Sequence, residues 1–112
     1  NYSKADVDAA CALLKAAGLR EQVMIDVSHA NSSKQHARQI VVAGEVAAQI
    51  AAGDRRITGI MIESHLQEGR QDIVEGKPLA VGVSVTDACI SMAQTVPVLQ
   101  QLAAAVRARR AC

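Results

Sequence analysis

Three short polar strings carry the residue types that do chemistry in this chain: SHANSSK at 28–34, ESHL at 63–66 and TDAC at 86–89. They supply His29, Glu63 and Asp87. One imidazole and two carboxylates brought together from neighbouring elements can bind a divalent transition metal. Each also has a plainer reading. A histidine just past a strand often serves as a hydrogen-bonded loop residue, Glu63 can pair with Arg56 or Arg70, and Asp87 can open a helix after Thr86.

Other candidates rank lower. His65 stands two residues from Glu63, so on an extended strand both side chains share a face, but His29 is the stronger ligand candidate. His36 falls inside an expected helix, on its solvated face. Cys89, two residues past Asp87, reads as a small apolar group in a helical turn rather than a thiolate ligand. Lys34 lies where a phosphate would meet a helix N-terminus.

The elements that must position these groups follow from periodicity and punctuation. Ser3 with Asp6 has the form of a capping box, and Val7, Ala10, Cys11, Leu13 and Leu14 recur at helical spacing up to Gly18, giving a helix over 4–17. VMIDV (23–27) is short and apolar, a strand. Ser32 or Ser33 is the expected cap of a second helix running to Ala52 and closed by Gly53. ITGIMIE (57–63) is a second buried strand, in which Gly59 suggests a close backbone approach. Residues 65–85 form a long loop, of the kind that is usually functional in a compact domain. TDACI (86–90) is expected to begin a short helix. Thr95 is the expected cap of a last helix to Arg109, with Pro97 in its first turn.

The order α-β-α-β-loop-α implies parallel strands covered by helices, an α/β fold. Two parallel strands do not complete a sheet, so the chain reads as a piece of something larger. Its 112 residues are half hydrophobic but hold a single aromatic, Tyr2, so the core must be built from small aliphatic side chains. A net charge of +1 argues against nucleic acid, which calls for a strong basic patch. Arg107, Arg109 and Arg110 instead suit a helix C-terminus. Three cysteines without a CxxC pair indicate neither a disulfide framework nor a zinc knuckle, and fit a reducing, cytoplasmic setting. No apolar run approaches the roughly 18 residues of a membrane span.

The strings VMIDVSHANSSKQ, GIMIESHLQEGRQ and PLAVGVSVTDACI, in this order, resemble the microbial, feedback-regulated 3-deoxy-D-arabino-heptulosonate 7-phosphate synthases, and the opening NYS and closing VRARR extend the likeness over essentially the whole chain. The resemblance implies a (β/α)8 barrel of about 250 residues. Residues 1–112 would be its C-terminal segment (α6-β7-α7-β8-α8), with VMIDV as the seventh strand and ITGIMIE as the eighth. It implies condensation of phosphoenolpyruvate with erythrose 4-phosphate, assisted by a divalent metal (manganese, iron, cobalt or zinc). A Cys, a His, a Glu and an Asp would hold that metal.

His29, Glu63 and Asp87 match three of these ligands. The ligand Cys and the phosphate-gripping residues belong to upstream segments of the family, and Cys89 matches a different position. The sequence departs from the family where Val83 replaces a Lys, and where Ser91-Met92-Ala93 replaces Gly-Trp-Glu. The isolated chain is accordingly expected to be inert, and turnover of both substrates by it would overturn that. Open strand edges suggest a homo-oligomer. The competing reading is a small non-enzymatic α/β module that uses those edges to bind a partner.

Overall fold

The computed structural model describes residues 1–112, in the order α1 (Lys4–Ala16), β1 (Val23–Asp26), α2 (Arg38–Ala51), β2 (Ile57–Met61) and α3 (Met92–Arg110), with a 3-10 turn at His29–Ser32 between β1 and α2. The strands run parallel, pairing Met24 with Gly59, Ile25 with Ile60 and Asp26 with Met61; a register shift separates Val23 from Met24. This is the α/β arrangement that the alternating pattern predicts.

The core lies between the helices and one face of this ribbon. Val7 and Cys11 come from α1, Ile25 and Val27 from β1 and just beyond it, Val42, Val46 and Ile50 from α2, and Val98 and Ala105 from α3. Ala43, Ala47 and Ala105 are buried too, so small side chains let the helices lie close. Yet only 19 of 112 residues are buried, and the radius of gyration is 16.4 Å, against about 13 Å for a compact chain of roughly this length. The sheet has two strands, so each strand keeps an open edge. No helix is long and apolar enough to cross a membrane.

Several boundaries differ from the sequence expectation. Ser3 caps α1 as expected, accepting a hydrogen bond from the Asp6 amide. Neither Ser32 nor Ser33 caps α2, which begins at Arg38 after an uncapped Ala37. The polar string instead winds into the 3-10 turn, and Ser33 and Lys34 take left-handed backbone, φ 54° and 58°, which stops a regular helix from starting there. His36 therefore lies outside the helix, half-buried, with Nε2 2.9 Å from the Glu68 carboxylate.

TDACI forms no helix. Cys89 pairs antiparallel with Gly69 and Ile90 pairs parallel with Ser64. Cys89 is buried as a small apolar group, but in a bridge and not a helical turn. The last helix is capped four residues before Thr95, at Ser91, which forms a complete capping box with Gln94. Pro97 consequently sits inside α3, beyond its first turn. At Gly59 the close approach comes from a side chain: an added Cβ would lie 3.2 Å from Met24 Cγ.

Candidate metal centre

β1 and β2 point their C-terminal ends the same way, and the site assembles just past them. Val27 continues the ladder by donating its amide to Met61 O at 3.0 Å. The chain then turns sharply at His29, whose φ of 52° is unusual for a residue with a side chain. The backbone after β2 is held from α2. Gln39, fully buried, accepts from the Glu63 amide through Oε1 at 2.8 Å and donates through Nε2 to the Glu63 carbonyl at 3.1 Å.

The long loop supplies the third group. Gln71 knits it together, donating to Ala80 O and Val83 O and accepting from the Ala80 amide. Ile90 donates to Glu63 O at 3.1 Å, and His65 donates to Ile90 O at 3.0 Å. These bonds carry Asp87 back beside Glu63. At Gly82, φ +80°, an added Cβ would stand 2.9 Å from the Leu66 Cβ, so the loop closes on itself too tightly there for a larger residue. Of the positions where the sequence departs from the resembling pattern, Ser91 caps α3 and Val83 offers Gln71 its carbonyl.

The structure brings His29, Glu63 and Asp87 together, with one potential ligand atom from each lying within 4.8 Å of the others. His29 Nε2 is 2.9 Å from Glu63 Oε1 and 3.3 Å from Asp87 Oδ2. The group lines a cleft of about 360 Å³ with Ser32, Lys34, His36, Arg70 and Ala88. Lys34 thus reaches the same cleft, four residues before α2 rather than at its N-terminus. His65 does not join the group: its Nδ1 accepts from the Leu66 amide at 2.8 Å. Glu63 pairs with neither candidate arginine. Arg56 binds Asp8 and Asp54, and Arg70 binds Asp72.

The electrostatics are those of a site short of positive charge. The hydrogen bond to Asp26 and then the nearby Glu63 charge raise the His29 pKa above its usual value. Burial raises that of Glu63, and the neighbouring Asp87 adds to this against the pull of His29. Burial works to raise Asp26 as well, but hydrogen bonds from Ser28 and His29 outweigh it and hold the carboxyl below the ordinary range. Three carboxylates converge on one imidazole. Nitrogen and oxygen donors at this spacing suit a divalent cation of the manganese-to-zinc series.

Two contributors are not evident from periodicity, though the sequence held a signal for each. Asp26 is a charge inside an apolar strand. Gln39 is a polar residue at the spacing of the buried stripe that continues through Val42, Ala43, Val46 and Ile50.

Fold and cluster together define a parallel α/β protein whose polar site lies beyond the carboxyl ends of its strands, where such folds place their ligands. Residues 1–100 match the DAHP synthetase I family. The chain belongs to that family.

It is 54% identical over 110 residues to the Phe-sensitive phospho-2-dehydro-3-deoxyheptonate aldolase of Escherichia coli K12, covering 98% of this chain and 31% of that protein. It is 52% identical over 114 residues to the tyrosine-inhibited enzyme of Schizosaccharomyces pombe, with the same coverage. The solved phospho-2-dehydro-3-deoxyheptonate aldolase of Francisella tularensis superposes with a TM-score of 0.92 at 48% identity, over 97% of this chain and 31% of that one. The chain thus spans about 30% of the length of the curated relatives it matches.

Proposed function

We propose that residues 1–112 are the C-terminal segment of a (β/α)8-barrel domain, with β1 and β2 as its seventh and eighth strands, and that His29, Glu63 and Asp87 are three ligands of its divalent metal. The parent activity is 3-deoxy-7-phosphoheptulonate synthesis, a cytoplasmic transferase reaction joining phosphoenolpyruvate to erythrose 4-phosphate. The observation that carries the reading is the convergence of one imidazole nitrogen and two carboxylates just past two parallel strands. Family membership and the TM-score of 0.92 support it.

A bound divalent ion would supply Lewis-acid polarisation of a carbonyl or orient a water. The residues of this chain do the rest of the local work. His29 presents Nε2 to the cleft, Glu63 is clamped from α2, and Asp87 is delivered by the loop. Lys34 and Arg70 line the same cleft and place positive charge beside these three groups.

Calorimetric titration with manganese or zinc tests the assignment. The unaltered chain should bind, and a His29→Ala, Glu63→Ala variant should not. Equal binding by both would remove these residues from the site.

The open strand edges support a second element of the proposal, that the chain self-associates. Light scattering should give a mass of at least twice the 11.8 kDa chain, and a monodisperse monomer at high concentration would contradict it.

A further inference from the structure

We propose that Asp26 is the positioning residue for His29: its carboxylate holds the imidazole by Nδ1, so that Nε2, the nitrogen facing Glu63 and Asp87, keeps its lone pair for a cation. The inference rests on reading the cluster as a metal centre and names the residue that orients it.

The geometry is specific. Asp26 Oδ2 lies 2.8 Å from His29 Nδ1, on the opposite side of the ring from the two cluster carboxylates, which meet Nε2 at 2.9 and 3.3 Å. The carboxylate is itself immobilised. Its Oδ1 accepts from the Ser28 amide at 2.8 Å and from the Ser28 hydroxyl, and Ser28 is buried. The Asp26 backbone is fixed as well, being the last residue of β1 and paired with Met61. Its carbonyl accepts from Asn31 Nδ2 at 2.7 Å.

The imidazole needs such a hold. His29 is about half exposed and sits on a tight turn, where a free ring would sample several orientations and both neutral tautomers. A carboxylate accepting from Nδ1–H selects the tautomer that leaves Nε2 unprotonated. Partners of this kind typically change metal affinity by about 10- to 100-fold. Asp26 stands in the strand next to the ligand it serves, and its charge accounts for the one polar break in an otherwise apolar run.

The test uses the full 112-residue chain and zinc at about pH 8, where proton competition is weak. Zinc affinity is measured for the unaltered chain and for Asp26→Asn, and nitrogen-15 spectra of the loaded unaltered chain show which nitrogen of the His29 ring carries the metal. The expected result is zinc on Nε2, a protected Nδ1 proton, and affinity about 10- to 100-fold lower in the variant.

Zinc on Nδ1 overturns the proposal from the unaltered chain alone, whether or not the variant folds. Equal affinity in a folded Asp26→Asn chain, shown by an unchanged amide spectrum, also overturns it. An unaltered chain that takes up no zinc defeats the metal reading itself, and the positioning role with it.

Discussion

Replacing Gln39 with leucine is expected to destabilise the chain by about 1–3 kcal/mol and to weaken metal binding about 10- to 100-fold. Both effects come from the two hydrogen bonds by which this side chain grips the Glu63 main chain. Gln39 is fully buried, so water cannot replace it. The Glu63 carbonyl would keep its bond from the Ile90 amide, but the Glu63 amide would lose the partner it has. An orphaned buried donor costs its full desolvation penalty. Leucine is near glutamine in volume, so the loss is one of polarity and not of packing.

The metal effect follows because α2 and β2 are joined at this point. Freed from Gln39, the chain after Met61 is held near the cluster only from the loop and α3, through Ile90 and Thr95, and the Glu63 carboxylate loses its anchor to α2. Urea unfolding without metal and zinc titration together check this. A variant with unchanged stability and unchanged affinity would mean that the Glu63 backbone is held elsewhere.

Gln39 also shows where sequence reasoning stops. The strands, α1 and the end of α2 were legible because apolar runs and glycines mark them directly. His29, Glu63 and Asp87 were legible because each lies just past a strand or in a long loop, within strings that resemble one family. Helix starts were less legible, because several residues compete as caps. Ser32 and Ser33 have the right chemistry, but the 3-10 turn and left-handed backbone take them out of play. Thr95 has it too, yet Ser91 has Gln94 three residues on, and the reciprocal bond decides. Instead, the Thr95 hydroxyl bonds Ser64 Oγ and donates back to the Ser91 carbonyl.

Support residues such as Asp26 and Gln39 were missed for a different reason. A polar side chain in an apolar stripe reads as an imperfection until its partner is known, and that partner is 24 residues away for Gln39. A search for polar residues that interrupt apolar strands and stripes would have flagged both.

Between about pH 5 and pH 8, metal-free and metal-loaded chains are expected to change stability in opposite directions. The paired Asp6, Asp8, Asp26 and Asp54 all have lowered pKa values, so their contribution is complete above the ordinary carboxylate range and constant through this window. His29 and Glu63 are raised, from 6.5 and 4.5 respectively. A raised group stabilises the folded state fully below its unfolded pKa, and that contribution is lost as pH rises through its folded value. Without metal, the cluster therefore weakens the fold progressively toward alkaline pH, as uncompensated negative charge accumulates around His29.

Metal binding reverses the sign, because it requires His29 neutral and Glu63 ionised. As pH is lowered, apparent affinity should fall about tenfold per pH unit once one proton must be displaced from His29, and more steeply where Glu63 also holds a proton. The fall should begin above pH 6.5, because Asp26 and Glu63 hold the imidazolium in place. Urea midpoints across this range, with zinc and with a chelator, should diverge as pH rises. Parallel curves, or zinc affinity independent of pH, would show that the imidazole is not a ligand. The same carboxylates that make the empty cluster unfavourable at neutral pH are those that would make a cation bind there, which is why the two curves must separate if the site is a metal centre.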